Sequence, residues 1–351
     1  MFIKLVHRDS LSVEANVRRL QNGELVLLCT CGGSAEPAPE NRTYIFRSRN
    51  DGAEMCIRDS NDGADWSEKA QLGAEDGFAR YHTEAAVIGD RLKVFVSAHN
   101  GKFIRWRNEL YESSDGGNCW SVRSLGELPE YAFVRSMAVL SDGRLLFPYH
   151  YYPITGEMER NSLEKGTYVW KNPVPYIESG ILLSEDGGET FKRRVAFRTT
   201  AEEMKKYGLT WFWPENTVAE LESGHLAMLF RMDGFGRLQR SDSYDFGETW
   251  GEPFATDIPN PSNKPQLLKT NDGRIVLLNT PNDGKGLEAR FPLEIWISEN
   301  NMAGWNKKIV LSDFPGVYSY ANGFIEGNIL YLAFEFNRHD IYFARVDLEN
   351  D

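Results

Sequence analysis

Charged and hydrogen-bonding residues recur at a fixed distance from six short turns in this sequence. Each turn lies between two apolar runs. In every segment, the position considered lies eleven residues before the first residue after the turn. Carboxylates and phenols there can transfer protons, and guanidinium or ammonium groups can bind an anion. Because buried charges are costly unless they are paired, the ring predicts a polar pocket rather than a packed core. The six positions are Glu14, Tyr81, Val134, Glu215, Lys264 and Tyr318.

Two further sets of residues belong to the same register. A shift of one residue exchanges the two faces of a strand, so the residues that follow two of these positions, His82 and Arg135, are also candidates. Positions five residues beyond the start of each return strand include His150 and Arg231. We therefore expect Arg135, His82 and His150 to line the wall of the pocket.

The turns that define this register are hairpin signals. Asn-Gly and Asp-Gly pairs between apolar runs favour tight turns, because both central residues adopt positive φ. Six such segments divide the 351 residues into units of about 58 residues. The segments are VRRLQNGELVLLC, EAAVIGDRLKVFV, SMAVLSDGRLLFPY, TVAELESGHLAMLF, QLLKTNDGRIVLLN and GFIEGNILYLAF.

A second motif, Ser-x-Asp-x-Gly-x-Thr-Trp or Asp box, alternates with the hairpins. Its Asp carboxylate can accept backbone N–H groups across the turn, and its aromatic residue can fold back between layers. We interpret these residues as a structural staple rather than as catalytic groups. The copies are SNDGADW (Ser60–Trp66), SSDGGNCW (Ser113–Trp120), SEDGGETF (Ser184–Phe191), SYDFGETW (Ser243–Trp250) and the degenerate SENNMAGW (Ser298–Trp305).

Hairpins that alternate with Asp boxes at this spacing predict an all-β fold, a six-bladed β-propeller of four-stranded antiparallel blades. Residues 1–351 then form a single domain. The sixth blade is expected to close by pairing of the N-terminal strand Phe2–Val6 with a strand such as Ile341–Leu348. Few segments look helical, and the strongest helical signal covers Ala201–Gly208.

Three segments resemble the sialidase (neuraminidase) superfamily of six-bladed propellers. In ENTVAELESGHLAMLFR, Glu215 is followed sixteen residues later by Arg231, like an arginine of the family's substrate-binding triad. YSYANGFIEGN resembles the segment that carries the family's tyrosine nucleophile, which points to Tyr318. Arg290 in ARFPLEIWISEN precedes a strand and a degenerate Asp box, like the last triad arginine. A looser match in EPAPENRTYIFRS places Glu36 where the family has an Asp acid/base.

The resemblance implies a retaining exo-glycosidase that cleaves a terminal acidic sugar, so the implied partner is a glycan or oligosaccharide. The carboxylate of such a sugar would repel a carboxylate nucleophile, and sialidases use a tyrosine instead. The phenol needs a neighbouring base, so Tyr318 and Glu215 are expected within roughly 3 Å of each other. Arg231 and Arg290 would bind the substrate carboxylate, and Glu36 would protonate the leaving oxygen.

One position departs from the family. The first triad arginine belongs on the opening strand near SVEANV (Ser12–Val17), where Glu14 stands instead. A Glu that faces two arginines could pair with them and remove the carboxylate site. Three alternatives therefore stay open: a glycosidase for another acidic or neutral sugar, a lyase that uses His and Tyr, and a non-catalytic glycan-binding propeller.

The composition argues against several other classes. The net charge is −12, with Lys and Arg spread along the chain, which disfavours a nucleic-acid partner and an anionic membrane surface. No apolar run is long enough to span a membrane, and no His pair has zinc-site spacing, so we expect no membrane span, metal or cofactor. Cys29 and Cys31 would share one face of a strand as buried thiols. The start does not look like a signal peptide, so the expected location is cytoplasmic, or secreted if a leader precedes this sequence.

The tetrapeptide NDGA occurs twice, at Asn50–Ala53 and at Asn61–Ala64. Only the second copy continues to Trp66, so we expect that copy to form the first Asp box and Trp66 to pack as its aromatic plug. The residues Glu54–Ala64 are then either an insertion at an outer hairpin or a sequence artefact.

Overall fold

Short apolar strands joined by tight turns account for most of the chain. The computed structural model describes residues 1–49, 66–312 and 314–351. In chain order the strands of these residues are β1 (Phe2–Arg8), β2 (Ser12–Arg19), β3 (Leu25–Cys31), β4 (Arg42–Ser48), β5 (Ala70–Gln71), β6 (Ala79–Ile88), β7 (Arg91–His99), β8 (Arg107–Ser113), β9 (Ser121–Ser124), β10 (Ala132–Val134), β11 (Ala138–Val139), β12 (Leu145–Tyr151), β13 (Tyr176–Ser184), β14 (Lys192–Thr200), β15 (Asn216–Glu222), β16 (His225–Phe230), β17 (Arg237–Ser243), β18 (Phe254–Pro259), β19 (Gln266–Lys269), β20 (Ile275–Asn279), β21 (Leu293–Ser298), β22 (Lys307–Ser312), β23 (Tyr318–Glu326), β24 (Ile329–Phe336) and β25 (Asp340–Asp347).

Within the described residues these strands form six antiparallel sheets, which confirms the six-bladed β-propeller. Each blade takes its strands in chain order from the axis outwards: β2–β5, β6–β9, β10–β14, β15–β18, β19–β22, and β23–β25 followed by β1. In the third blade the innermost position is divided between β10 and β11, which both pair with β12. Arg135 follows β10 directly and donates its backbone N–H to the carbonyl of Pro148, 2.9 Å away.

The ring closes through the two ends of the described chain. β1 pairs antiparallel with β25, with Phe2 opposite Arg345 and Leu5 opposite Tyr342. This confirms the expected closure of the sixth blade by the N-terminal strand. The Met1 ammonium group also lies 2.6 Å from the Asp351 carboxylate.

Two α-helices interrupt the strands of the described residues. The predicted helix is present as α2 (Ala201–Lys206), which begins with a capping box between Thr200 and Glu203. The other, α1 (Gly156–Lys165), was not predicted, because its sequence is polar and buries only Ser162. Single 3₁₀ turns cover Val169–Lys171 and Leu287–Ala289. Neither helix of this part of the chain has the length or hydropathy needed to cross a membrane.

The Asp boxes act as the predicted staples. In SYDFGETW, Ser243 Oγ donates to Asp245 Oδ1 at 2.8 Å, and the same oxygen accepts the backbone N–H of Thr249 at 2.9 Å. Asp115 and Asp186 make equivalent bonds in their turns. Both NDGA copies and Glu54–Ala64 lie outside the described residues. Trp66 is buried, with its ring 5.4 Å from that of Phe343.

Apolar residues from neighbouring blades pack against each other and build the core between the sheets. Val26 and Leu28 of β3 pack with Val94 and Val96 of β7 in one such cluster. Cys29 and Cys31 face the other side of the same strand, where their sulfur atoms are 3.2 Å apart as free buried thiols. Because successive side chains of a strand point to opposite faces of the sheet, each blade packs against one neighbouring blade with one face and against the other neighbour with the opposite face.

Three of the innermost strands contain a β-bulge near their first residues. The pairing register shifts between Val13 and Asn16 in β2, between His82 and Glu84 in β6, and between Ser319 and Asn322 in β23. A bulge leaves residues outside the hydrogen-bonded ladder and re-aims their side chains. The bulged residues include Glu14, Thr83 and Tyr320, and all three face the same cavity.

Candidate functional site

The cavity lies at the end of the axis where the innermost strands begin. Its volume is about 220 Å³. One side is charged and the other is aromatic. The lining residues are Glu14, Glu36, Pro37, Tyr81, Thr83, Phe103, Phe133, Arg135, Trp170, Trp213, Glu215, Arg231, Arg290, Tyr320 and Arg338.

Tyr320 and Glu215 form the central hydrogen bond of this pocket. The Tyr320 hydroxyl donates to Glu215 Oε1 at 2.9 Å, across the axis between the last blade and the fourth. Tyr320 has φ of 52° within its bulge, and only 8% of it is exposed. Burial raises the pKa of Tyr320, and Glu215 adds to this effect while Arg231 and Arg290 oppose it. The phenol therefore keeps its proton at neutral pH and presents it to the Glu215 carboxylate.

The prediction that Tyr318 faces the pocket is wrong. Tyr318 is fully buried in the core between the fifth and last blades, where its hydroxyl lies 2.6 Å from Ser312 Oγ and 3.0 Å from the Phe314 carbonyl oxygen. The turn in this hairpin consists of only Gly327 and Asn328, whereas the first hairpin uses the five residues 20–24. The pocket residue therefore lies nine, rather than eleven, residues before the return strand.

Arg135 connects two carboxylates on the charged side. Its Nη1 donates to Glu14 Oε1 at 2.8 Å, and its Nη2 lies 3.0 Å from Glu215 Oε1. Lys264 Nζ donates to the other Glu14 oxygen at 3.3 Å. Burial raises the pKa of Glu14, but Lys264 and Arg135 outweigh it and lower that pKa to about 2. Glu14 is therefore an ionised acceptor at neutral pH and cannot serve as a general acid there.

Arg231 and Arg290 lie side by side next to Tyr320. Both donate to the carbonyl oxygen of Ser262, Arg231 Nη1 at 2.8 Å and Arg290 Nη2 at 2.5 Å. Arg231 Nη1 also lies 3.1 Å from Glu215 Oε2. Among the described residues, Arg290 makes no ion pair, and its Nε has no hydrogen-bond partner. Two adjacent guanidinium groups that share one carbonyl are suited to hold an anion.

Glu36 and Arg338 form an ion pair at the cavity wall. Glu36 reaches the cavity from the connection between β3 and β4, as the sequence predicted. Arg338 was missed, because it comes from the turn between β24 and β25 rather than from an innermost strand. Behind them, Glu335 is fully buried and accepts the backbone N–H of Glu14 at 2.7 Å.

The opposite side of the cavity is aromatic. Phe103, Phe133, Trp170 and Trp213 line it. Trp170 lies in the connection that contains α1. Its ring stacks on that of Tyr168, with the two ring centroids 4.2 Å apart. Such apolar ring faces can pack against the carbon-bound hydrogens of a sugar.

The expectation that His82 and His150 line the pocket is wrong. Both are fully buried behind its walls, and the His150 ring stacks on Phe133 at 4.8 Å. Burial lowers the pKa of His82 to about 3 and that of His150 well below its usual range. The lyase alternative, which needs a histidine beside the substrate, loses its proposed residues. Within the part of the chain that the structure describes, no three His, Cys, Asp or Glu side chains are placed to hold a metal ion.

A wider funnel of about 880 Å³ opens at the opposite end of the axis. Its lining includes Arg18, Val139, Leu268 and Phe324. Arg18 donates to the carbonyl oxygens of Val17 and Ala85, both at 2.6 Å, and pairs with Glu84. Its hydrogen-bonding capacity is therefore used within the protein. The smaller cavity, where a phenol, carboxylates and arginines converge, is the better candidate for chemistry.

Comparison with known proteins assigns the family. The family model for the BNR repeat-like domain matches residues 47–332, which is most of the chain. The chain belongs to this family. No curated protein sequence matches this BNR propeller.

Solved structures with this fold include sialidases. The BNR propeller is similar to the Hadza microbial sialidase Hz136, with a TM-score of 0.69 and 15% identity over 97% of this chain and 66% of that protein. A protein of unknown function from Dyadobacter fermentans DSM 18053 gives a TM-score of 0.69 and 15% identity over 98% and 97% of the two chains. Trypanosoma rangeli sialidase in complex with sialic acid gives 0.67 and 17% over 97% and 55%.

The chain thus spans only part of the two sialidases but nearly all of the Dyadobacter protein. At these identities the similarity establishes the fold, that of a sialidase-like BNR propeller.

Proposed function

We propose that this BNR propeller is a retaining exo-glycosidase of the sialidase type, which removes a terminal acidic sugar. Tyr320 is the nucleophile, Glu215 its base, and Glu36 the acid/base. Arg231 and Arg290 bind the carboxylate of the sugar. The observation that carries the proposal is the 2.9 Å hydrogen bond from the Tyr320 hydroxyl to Glu215 beside two adjacent arginines.

The first step forms a bond between the sugar and Tyr320. The phenolic oxygen attacks the anomeric carbon while its proton passes to Glu215. The bond from that carbon to the leaving oxygen breaks, and Glu36 protonates the departing alcohol. A neutral phenol suits this substrate, because an anionic nucleophile would be repelled by the sugar carboxylate.

The second step regenerates the enzyme. Glu36, now a carboxylate, accepts a proton from water as the water oxygen attacks the anomeric carbon. The bond to Tyr320 breaks, and the phenolate recovers its proton from Glu215. Two displacements at one carbon give net retention of configuration.

The dimensions of the pocket support cleavage at a chain end. Its volume of about 220 Å³ is below the range of about 300–1,000 Å³ typical of pockets for drug-sized ligands. The adjacent cations Arg231 and Arg290 favour a sugar that carries an anionic group. A single acidic ring fits this combination of size and charge.

The test compares two tyrosines that differ in position but not in chemistry. Purified wild-type protein, Tyr320→Phe and Tyr318→Phe are assayed on aryl glycosides of sialic acid, other acidic sugars and neutral sugars. We expect Tyr320→Phe to lose most of the turnover, about 1,000-fold or more, because the nucleophile is gone. Tyr318→Phe should retain turnover and lose about 1–2 kcal/mol of unfolding free energy, because its buried hydroxyl contacts are lost.

A trapping experiment identifies the nucleophile independently. A 2,3-difluorinated acidic sugar should label wild-type protein on Tyr320. Fragment-ion mass spectrometry must locate the label, because Tyr318 lies on the same peptide. Unimpaired turnover by Tyr320→Phe would contradict the proposal. Sugar binding without turnover on every glycoside of the panel would instead identify a glycan-binding propeller.

A further inference from the structure

Five buried side chains of alternating charge form a row at the floor of the pocket, and all of them except Lys264 line the cavity. The order is Lys264, Glu14, Arg135, Glu215 and Arg231, and the successive contacts are 3.3, 2.8, 3.0 and 3.1 Å long. Every cation in this row has a carboxylate neighbour. Arg290, just beyond the row, makes no ion pair among the described residues.

Glu14 is held firmly in this row. Its backbone has φ of 54°, a left-handed conformation that is strained for a residue with a side chain, and its N–H is fixed by Glu335 at 2.7 Å. Its carboxylate is the ion-pair partner of Lys264 and one of two partners of Arg135. A charged side chain is thereby held in a costly position beside the ligand cavity.

The charges of the floor do not balance. Lys264, Arg135, Arg231 and Arg290 supply four positive charges, and Glu14 and Glu215 supply two negative ones. Asp233, 3.6 Å from Arg231 Nε, adds a third carboxyl group. The excess lies at the end of the floor occupied by Arg231 and Arg290. If Glu14 were neutral, Lys264 and Arg135 would attract a second anion at the other end, because buried cations need a counter-ion.

We propose that Glu14 determines the charge of the ligand: it is a built-in counter-ion that confines anion binding to Arg231 and Arg290. The inference rests on the proposed function and narrows its substrate class to sugars with a single anionic group. On the Glu14 side, the pocket offers an acceptor for sugar hydroxyl groups instead of a second anion site.

Calorimetry with three probes tests this inference without requiring turnover. The probes are sodium sulfate, N-acetylneuraminic acid and the neutral N-acetylglucosamine, titrated into wild-type protein and into Glu14→Gln. We expect Glu14→Gln to bind sulfate about tenfold more tightly or better, because Lys264 loses its counter-ion. Affinity for the acidic sugar should also rise, and affinity for the neutral sugar should not.

A compensated variant separates charge from misfolding. Glu14→Gln combined with Lys264→Gln removes one charge of each sign, so sulfate affinity should return to the wild-type value. Sulfate affinity in folded Glu14→Gln that equals or falls below wild type would overturn the inference, as would an increase that persists in the double variant. If wild-type protein turns over no glycoside of the panel while Glu14→Gln binds sulfate more tightly, only the proposed function is contradicted.

Discussion

Glu335 is a carboxyl group that the protein encloses completely beside the pocket. One oxygen accepts the Glu14 N–H, and the other has no hydrogen-bond partner among the described residues. Burial raises the pKa of Glu335 to about 8, although Arg338 acts in the opposite direction. The group is therefore mainly protonated at neutral pH, and its ionisation would place another negative charge near Glu14 and Glu36.

The raised pKa makes stability depend on pH. Between about pH 4.5 and about pH 8 the folded protein holds a proton on Glu335 that the unfolded chain releases, so the unfolding free energy falls as pH rises through this window. Glu335→Gln keeps the acceptor for Glu14 but cannot ionise. We expect its unfolding free energy, measured with urea at pH 5 and pH 8.5, to decline less than that of wild type. Glu202→Gln on the exposed face of α2 is the matched control, and equal declines in all three proteins would contradict the prediction.

Residue types were easier to predict than the face each side chain occupies. Motif spacing found most of the charged lining, because the spacing of a hairpin is encoded locally. It failed at Tyr318, because the last hairpin differs from the first in two lengths. Its turn is three residues shorter, and the strand segment between the pocket residue and the turn is one residue longer. A count made from other hairpins does not show these differences. The predicted residues that do line the pocket are Glu14, Glu36, Tyr81, Arg135, Glu215, Arg231 and Arg290.

Among the elements, the connection between β3 and β4 carries Glu36 and is supported by a neighbouring blade. Gly101, in the connection between β7 and β8, packs against it with φ of 84°. A Cβ added at Gly101 would lie 2.3 Å from the backbone nitrogen of Pro39. The position of Glu36 therefore depends on the absence of a side chain at residue 101.

Alanine substitutions at Gly101 and Gly273 distinguish the effect of this packing from the effect of backbone strain. Gly273 also has positive φ, 94°, but a Cβ there meets no atom within 4 Å. We expect both alanine variants to lose about 1 kcal/mol or more of stability from the left-handed backbone. Only Gly101→Ala should also lose activity, by about 10- to 100-fold in kcat/KM, because it displaces the loop of Glu36. Equal kcat/KM for the two variants would show that this loop does not position a reacting group.

Elements with local signals were predicted and those set by tertiary contacts were not. Turn residues and Asp-box residues specify their own hydrogen bonds, so hairpins and boxes were visible in the sequence. The bulges in β2, β6 and β23 have no such signal, since their pairing depends on the neighbouring strand. Arg338 was missed for the same reason, because its turn between β24 and β25 reaches the cavity only through the tertiary arrangement of the last blade.

At the scale of the whole molecule, one strand joins the two ends of the ring. β1 is the outermost strand of the sixth blade, and it covers the edge of β25. Phe2 and Val6 pack on the cluster that contains Ile341, Phe343 and Trp66. The first and last blades are thus held together by pairing between distant parts of the chain.

Deletion of residues 2–8 should destabilise the whole propeller rather than one blade. Loss of the pairing and apolar contacts of β1 should cost several kcal/mol, which corresponds to a fall in Tm of about 10 °C. We expect a single thermal transition by circular dichroism, because no blade buries its faces without its neighbours. Deletion of residues 349–351 is the control and should change Tm by no more than about 2 °C. Two separate transitions would contradict this cooperativity.

At the three bulges, the side chains that face the pocket can vary independently of the strand pairing that maintains the fold. Glu14, Thr83 and Tyr320 lie where the ladder of hydrogen bonds is interrupted, so their side chains are not fixed by strand alternation. A mutation at such a position can change what the pocket accepts, while the strands on either side keep their partners. The fold can therefore acquire a new specificity through single substitutions, and its selectivity can diverge during evolution faster than its architecture.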